Sequence, residues 1–286
     1  MKFHRNALLL QSQYNCNVVN KLIFQSLASG SAGNCYFLGT ENYGILIDAG
    51  ISARYVRKHL KNIGIELEQI YGIIITHDHG DHIKGLGTLS ERFKVPVYAT
   101  AEVYHGITLN LCMRKELTDS KRFIKKNKAF QIGDFNITAF SVSHDAHDNM
   151  GFTVEYQNKK FTFATDLGYI GAKAAAHIAK ADYLVIESNY DEDMLENGSY
   201  PQNLKDRIKS DTGHLSNRQT AEFLADNFNK SLKYIFLCHL SGENNLPEIA
   251  YLTVKNSLEK RGIKTGTDVE LVTLDRYTPS KVYELG

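Results

Sequence analysis

The sequence predicts a layered α+β domain, a four-layer αββα sandwich in which two β-sheets form the interior and helices cover both outer faces. Three observations support this fold class. Short apolar runs bounded by glycine-rich turns are typical of strands, and longer runs with capping residues are typical of helices. Two similar halves, each with strands first and helices after them, follow one another without a clear internal repeat or linker.

The elements can be placed in order along the chain. In the first half we expect strands at residues 22–29, 35–40, 44–50 and 71–76, and helices at 52–64 and 81–94. Ser52 is a helix-capping residue, Gly64 ends that helix, and the continuous apolar run 71–76 is typical of a strand buried on both faces. In the second half we expect strands at 129–142, 151–166, 182–188, 232–241 and 268–275, and helices at 168–181, 203–210, 216–229 and 246–262.

Residues 1–20 show no clean periodicity, and we expect them to form a poorly ordered N-terminal extension. Residues 21–286 are then one domain, because a chain of this length can bury a single large core. The four cysteines lie far apart without a CxxC pair, which favours reduced thiols over a disulfide framework.

The composition excludes some classes of protein. A formal net charge of +1 is incompatible with a polycationic coat for nucleic acid, although a local basic patch remains compatible with it. No apolar run reaches the roughly 18–20 residues of a membrane span, and the opening "LLL" is too short for a signal peptide. We therefore expect a cytoplasmic protein with no membrane partner, while its oligomeric state is not indicated.

The densest chemical signal is the stretch "THDHGDH" at residues 76–82. It follows a predicted buried strand and precedes a predicted helix. On such a turn His77 and His79 can point to the same side and share one metal ion, while Asp81 and His82 can reach a second ion. Imidazole and carboxylate ligands suit borderline-soft divalent ions, and two such ions about 3.5–4 Å apart are a common centre for hydrolysis.

Further candidate ligands lie where other apolar runs end. His144 follows the predicted strand 129–142, Asp166 ends the run 151–166, and His239 lies near the end of the run 232–241. The ends of strands in layered α/β structures commonly open into clefts. Together with the histidine turn, these three residues complete two sets of metal ligands.

These motifs resemble the metallo-β-lactamase fold superfamily, whose HxHxDH signature is matched by residues 77–82. The resemblance covers roughly residues 22–280 and implies two divalent metal ions, Zn, Mn or Fe. It implies that the first ion is bound by His77, His79 and His144. It implies that the second ion is bound by Asp81, His82 and His239, with Asp166 bridging both. It also implies that Asp48 supports the histidine turn, a need common to metal sites. Glu187 is a candidate for the same kind of support.

Within this superfamily the sequence narrows the choice of activity. Asp166 stands where true β-lactamases commonly have cysteine, and His79 stands where oxygen-reducing diiron proteins have glutamate. Seven stretches in order resemble the YycJ/WalJ group: "ASGSAGNCYFLGT", "THDHGDHIKGLG", "SHDAHDNMGF", "ATDLG", "ESNYD", "GHLSN" and "HLSGENN". The resemblance implies a metal-dependent nuclease, with 5′–3′ exonuclease activity on double-stranded DNA as the favoured activity. The long β-CASP insert of some nucleases is absent from the sequence.

The catalytic and substrate-binding candidates follow from the same motifs. Asp81 is expected to orient the attacking water, and His214, in a loop similar to one in RNase Z, is the candidate general acid. The Gly/Ser stretch 28–35 could bind an anion through backbone N–H groups, or it could be a simple hairpin turn. Substrate contacts are expected from Ser29, Gly30, Ser31, Asn34, Ser241, Asn244 and Asn245.

Two other functions remain open at this point. A hydrolase of a small anionic ester or thioester would use the same ligands, and a non-catalytic partner of a signalling system would be expected to have lost some of them. The basic run "KRFIKKNK" at 121–128 could follow a DNA backbone or be a solvated loop. His147 could contact substrate or support a ligand, and Asp78 is expected to face solvent.

Overall fold

The computed structural model describes residues 21–113 and 115–286, so the expectation for residues 1–20 lies outside the described residues. The strands are β1 (Leu22–Gly30), β2 (Gly33–Gly39), β3 (Gly44–Ile47), β4 (Ile70–Ile74), β5 (Val97–Ala99), β6 (Lys121–Phe123), β7 (Ala129–Ile132), β8 (Phe135–Ser141), β9 (Met150–Tyr156), β10 (Lys159–Ala164), β11 (Tyr183–Glu187), β12 (Tyr234–Cys238), β13 (Glu270–Thr273) and β14 (Tyr283–Leu285). The α-helices are α1 (Ala53–Asn62), α2 (Gly80–Ile83), α3 (Leu86–Phe93), α4 (Ala101–Leu109), α5 (Ala172–Ile178), α6 (Glu192–Asn197), α7 (Gln202–Lys209), α8 (Asn217–Asp226) and α9 (Pro247–Lys260).

These strands form two seven-stranded mixed sheets. The first has the order β14-β1-β2-β3-β4-β5-β6 and the second the order β13-β12-β11-β10-β9-β8-β7. In the first sheet the strands from β14 to β3 are antiparallel and those from β3 to β6 are parallel. In the second sheet the strands from β7 to β10 are antiparallel and those from β10 to β13 are parallel. In both parallel parts the carboxyl ends of neighbouring strands lie at the same edge of the sheet, which is where loops can form a site.

The two sheets pack face to face through an aromatic core. Phe24 of β1 lies with its ring centroid 4.9 Å from that of Phe161 in β10 and 4.7 Å from that of Phe236 in β12. All three side chains are fully buried, and burial of each is worth roughly 1.5–3 kcal/mol. The opposite face of the second sheet packs against helices, through Leu184 of β11 and Leu224 of α8 among others. Strand β11 is therefore buried on both faces, which explains its continuous apolar sequence.

The predicted helix 81–94 is interrupted, which corrects the sequence interpretation. Helix α2 ends at Ile83 and α3 begins at Leu86, with Gly85 between them. The N–H of Gly85 donates to the carbonyl oxygen of Ala49 at 2.7 Å, and a Cβ at this position would lie 2.0 Å from the carbonyl oxygen of Ile51. At this break the segment after the histidine turn is therefore held against the loop that follows β3.

Two runs that were each predicted as one strand are hairpins. The run 129–142 turns at Gly133, whose φ is +56°, and the run 151–166 turns at Gln157 and Asn158, whose φ values are +47° and +64°. Such left-handed conformations are typical of two-residue hairpin turns.

The structure also contains two helices that the sequence did not predict, α4 and α6. Among the helices of the described residues, none has the length and the apolar character that crossing a bilayer requires.

Candidate metal centre

Five polar residues lie at or just after the ends of strands, along one edge of the two sheets. Asp48 follows β3, His77 follows β4, Asp166 follows β10, Glu187 ends β11 and His239 follows β12. Three of them, Asp48, Asp166 and His239, have left-handed backbone conformations with φ values of +60°, +54° and +55°. Such conformations cost a non-glycine residue roughly 1–3 kcal/mol and are concentrated at functional sites. This strain turns each chain sharply at the end of its strand.

The first group of candidate ligands is formed by His77, His79 and His144, which offer ring nitrogens within 4.8 Å of one another. His77 Nδ1 lies 3.0 Å from the Thr76 hydroxyl, and His144 Nδ1 lies 2.9 Å from the carbonyl oxygen of Gly213. These contacts leave Nε2 of both rings as the atom that could coordinate a metal ion. His79 differs, since its Nε2 lies 3.2 Å from the carbonyl oxygen of Asp145, which leaves Nδ1 for a metal ion.

The second group is formed by Asp81, His82 and His239. Asp81 Oδ2 lies 3.5 Å from His82 Nε2 and 3.4 Å from His239 Nε2. His82 Nδ1 lies 2.7 Å from Oδ2 of Asp48, and the same carboxylate accepts the N–H and the hydroxyl of Thr76 at 2.8 and 2.9 Å. Asp48 thus holds both His82 and the start of the histidine turn, which is the position expected for it.

Asp166 lies between the two groups. Its Oδ1 is 3.7 Å from His144 Nε2 and 3.5 Å from His239 Nε2, and its Oδ2 is 3.3 Å from His82 Nε2. A carboxylate that faces ligands of both groups is in the position of a bridging ligand. The structure therefore brings together all seven side chains that the sequence nominated as metal ligands.

The polar atoms of the site fit divalent metal ions. His77 Nε2 and Asp166 Oδ2 are buried and have no hydrogen-bond partner among the described residues. Leaving a buried polar atom without a partner costs about 1–3 kcal/mol, so two such atoms facing one centre indicate a ligand that satisfies both. The donor set of imidazole and carboxylate suits Zn, Mn or Fe better than it suits Ca or Mg, because Ca and Mg prefer oxygen ligands.

The electrostatics of the centre lead to the same conclusion. Burial lowers the pKa of His77 well below its usual value, which keeps this imidazole in the neutral form that binds metals. Burial also lowers the pKa of His239, but the carboxylates of Asp166, Asp81 and Glu187 outweigh it and raise this pKa to about 10. Burial raises the pKa of Asp81, but His82 and His239 outweigh it and hold this pKa well below its usual range. The buried carboxylates thus favour positive charge in the centre, and divalent ions can supply it.

Glu187 is a hydrogen-bond hub behind this centre. Its Oε1 accepts from His214 Nδ1 at 2.7 Å and lies 3.1 Å from His239 Nδ1. Its Oε2 accepts the backbone N–H groups of Leu167 and Leu215 at 2.8 and 3.1 Å. The fully buried carboxylate therefore fixes which nitrogen of His239 faces the metal site.

His214 lies at the mouth of the site. Its ring centroid is 4.9 Å from that of His144 and 5.3 Å from that of His239, and about a fifth of its side chain is exposed. Because Nδ1 is held by Glu187, Nε2 is the atom that can meet a substrate. This placement is compatible with a general acid acting beside both ligand groups.

The expected substrate contacts are placed differently from one another. Ser31 is exposed, whereas Ser29 and Asn34 are fully buried beside the candidate ligands. The Ser29 hydroxyl accepts the backbone N–H of His239 at 3.0 Å, and Asn34 Nδ2 lies 3.0 Å from His82 Nε2. These two side chains therefore contact ligands, because the stretch 28–35 is a hairpin of β1 and β2 whose strands continue to Gly30 and from Gly33.

The loop after His239 shows a similar pattern. Ser241, Asn244 and Asn245 are buried. Asn245 Nδ2 donates to the carbonyl oxygens of Ser188 and Asn189, both at 2.9 Å, and the Ser241 hydroxyl accepts the N–H of Asn244 at 3.1 Å. These side chains shape the loop instead of reaching its surface.

One prediction near the site is wrong, and one contact was missed. Asp78 is buried, not solvent-facing: it accepts the backbone N–H of His147 at 3.1 Å and lies 2.8 Å from His147 Nδ1. Helix α4, which the sequence did not predict, covers it through Gly106. Sequence reasoning also missed Asp145, whose carboxylate accepts from Arg207 Nε at 2.6 Å beside His79. Its only signal was its position directly after His144.

Comparison with known proteins identifies the family. Residues 43–235 match the family described as the β-lactamase superfamily domain. The chain is 36% identical over 261 residues to the exodeoxyribonuclease YycJ of Bacillus anthracis, an alignment that covers 91% of this chain and 98% of that protein. It is 34% identical over 262 residues to the exodeoxyribonuclease WalJ of Streptococcus pneumoniae serotype 2, covering 92% of this chain and 97% of that protein.

A solved structure with the same fold belongs to the same superfamily. The crystal structure of the metallo-β-lactamase fold protein YhfI from Bacillus subtilis superposes with a TM-score of 0.66 at 15% identity, covering 92% of this chain and 99% of that one. The predicted four-layer αββα fold is thereby confirmed, and so is the resemblance drawn from the seven motifs. The chain belongs to the metallo-β-lactamase superfamily and, within it, to the family of the YycJ and WalJ exodeoxyribonucleases.

Proposed function

We propose that this chain is a metal-dependent exodeoxyribonuclease that degrades linear double-stranded DNA in the 5′–3′ direction and uses two divalent ions. One observation carries the proposal: the carboxylate of Asp166 faces two groups of three candidate ligands at the edge of the sheets. The names of the two relatives, which align with nearly the whole chain, support DNA as the substrate. A DNA substrate in turn favours the cytoplasm as the compartment.

The proposed ligands are His77, His79 and His144 for one ion and Asp81, His82 and His239 for the other, with Asp166 shared. When bound, divalent ions supply Lewis acidity, which polarises the scissile phosphate and lowers the pKa of the attacking water. Zn, Mn and Fe all suit these ligands. The chain's own contribution is to fix the ligands before substrate arrives, through Asp48 behind His82 and Glu187 behind His239.

Two side chains act directly on the reacting atoms in this proposal. Asp81 is ionised, because its pKa lies well below its usual range, and about a quarter of its side chain is exposed. It can therefore accept a hydrogen bond from the attacking water and orient it. His214 then donates a proton from Nε2 to the departing oxygen, while Glu187 holds its Nδ1–H.

The test is digestion of linear duplex DNA labelled at the 5′ end, with Mn²⁺ added. We expect metal-dependent release of labelled nucleotide from the start of the reaction, and delayed release when the label is at the 3′ end. An Asp81→Ala variant of confirmed fold serves as the control and should release none. If the wild-type protein binds metal and leaves the DNA intact, the proposal is wrong, and small anionic esters and thioesters become the substrates to test.

A further inference from the structure

A cavity of about 520 Å³ lies beside the metal centre and contains none of its ligands. Its size is within the range of small-molecule sites, roughly 300–1,000 Å³. The side chains most important for its chemistry are those of Ile51, Arg54, Tyr55, Lys84, Arg276 and Tyr277. We call it the basic cavity.

The basic cavity shares a wall with the second ligand group. Gly50, which lines the cavity, donates its N–H to the carbonyl oxygen of Asn34 at 2.8 Å, and a Cβ on Gly50 would lie 1.6 Å from the carbonyl oxygen of Asp81. On another side, Arg276 donates to the carbonyl oxygen of Ser241, two residues after the ligand His239. A molecule in the cavity is thus separated from the metal centre by one layer of backbone.

The lining of the basic cavity carries an excess of positive charge. Arg54, Lys84 and Arg276 line it, and no acidic side chain of the described residues does. Within the described part of the chain, Arg54 and Lys84 form no ion pair. The carboxylate of Asp275 is not part of the lining, but it interacts electrostatically with Arg276 and Tyr55, and it accepts the N–H groups of Tyr277 and Thr278, both at 2.7 Å. Three cations against this one carboxylate leave the surface with an excess of positive charge. Three cations in one concave surface create a potential that attracts an anion.

The cavity also offers aromatic surface. Tyr277 is 62% exposed, and its backbone carbonyl accepts the Tyr55 hydroxyl at 2.8 Å. This bond holds the Tyr55 side chain against the backbone of Tyr277 and leaves the Tyr277 ring open to a ligand. Exposed rings beside cations are the combination with which proteins bind single-stranded nucleic acid, because bases stack on the rings while cations meet the phosphates. Three features therefore coincide here: a cavity of small-molecule size, cations without an ion-pair partner and an exposed aromatic ring.

We infer that the basic cavity binds one nucleotide of the DNA strand next to the scissile phosphate. Arg54 and Lys84 hold its phosphate, together with the guanidinium N–H groups of Arg276 that do not donate to Ser241. The base of the nucleotide stacks on Tyr277. This inference rests on the proposed function, since it assigns a binding site to the same substrate. It explains why the chain keeps basic side chains unpaired beside a metal centre although its net charge is close to zero.

The test is equilibrium binding, which does not depend on turnover. Metal-loaded protein is titrated into fluorescein-labelled duplex DNA with a single-stranded overhang and cleavage-resistant phosphorothioate linkages, and anisotropy is recorded at several salt concentrations. The variants are Arg54→Ala/Lys84→Ala and Tyr277→Ala. The matched control is Arg57→Ala/Lys58→Ala, which removes two exposed charges from the same helix α1 outside the cavity.

We expect the cavity double variant to bind at least about tenfold more weakly than the control. The slope of log affinity against log salt should be reduced by about one, because the two side chains hold a single phosphate. Tyr277→Ala should bind between about fivefold and a hundredfold more weakly with an unchanged slope, because it removes stacking and not charge. Equal affinity of the cavity variants and the control overturns the inference while the proposed function stands. Failure of the wild-type protein to bind or cut DNA overturns the proposed function itself.

Discussion

Glu187→Gln tests how the chain controls its metal ligands, because the change keeps the shape of the side chain and removes its charge. Glu187 has two backbone donors on Oε2 and faces two imidazole nitrogens with Oε1. Backbone N–H groups can only donate, so the amide oxygen of glutamine must take the position of Oε2 and accept from them. The amide NH₂ then points at Nδ1 of His214 and of His239.

This arrangement forces a change of tautomer. A ring nitrogen that faces an NH₂ group must accept, so both histidines move their proton to Nε2. For His239 that is the atom that faces Asp81 and Asp166, and a protonated nitrogen cannot bind a metal. Two charge-assisted hydrogen bonds, each worth about 1.5–3 kcal/mol, are lost or must be restored by an unfavourable tautomer. Residues that support metal ligands typically contribute 10–100-fold in affinity or activity, and we expect at least the upper end of that range here.

The assay is calorimetric titration of the metal-free protein with Mn²⁺ or Zn²⁺, together with initial rates of DNA cleavage at saturating metal. We expect the second metal to bind about a hundredfold more weakly and the rate to remain low even when both sites are filled. Glu155→Gln, on the exposed side of β9, is the control for the loss of a carboxylate. Wild-type affinity for both metals in Glu187→Gln, with an unchanged thermal transition, would refute the tautomer argument.

Three further outcomes are expected. His214→Ala should lower turnover by roughly a hundredfold or more while metal content by mass spectrometry stays unchanged, since this ring is a proton donor and not a ligand in the proposed mechanism; full turnover would remove it from that role. Gly50→Ala should destabilise the fold by roughly 1–3 kcal/mol in chemical denaturation and weaken metal binding, because its Cβ would lie 1.6 Å from the carbonyl oxygen of Asp81. Gly242→Ala is the control and should match wild type, because its Cβ would lie 4.0 Å from the Tyr277 hydroxyl. Removal of metal with EDTA should lower the melting temperature by about 5 °C or more, and added Mn²⁺ should restore it in a concentration-dependent way, because an ion that binds only the folded state stabilises it; a melting temperature that is independent of metal would contradict a filled site.

The parts of the fold that were predictable are those with strong local signals. The buried strands β11 and β12 have continuous apolar runs, and α1 has a capping serine at Ser52. The hairpins within 129–142 and 151–166 were missed because an uninterrupted strand-like pattern hides a two-residue turn. The break at Gly85 depends on the carbonyl groups of Ala49 and Ile51, which lie more than thirty residues earlier in the chain. No local pattern around Gly85 contains that information.

The site shows the same division between local and distant information. The candidate ligands could be nominated from the sequence because histidine and aspartate are conspicuous at strand ends, and the structure places these side chains together. The roles of Ser29 and Asn34 could not, since a serine in a glycine-rich turn looks the same whether it meets substrate or the backbone of His239, more than two hundred residues away. The basic cavity is a stronger case: Arg54, Lys84 and Arg276 each look like ordinary surface cations. Their convergence depends on the chain after β3, the chain after β4 and the chain after β13 meeting at one edge, and the chemistry of the cavity arises only there.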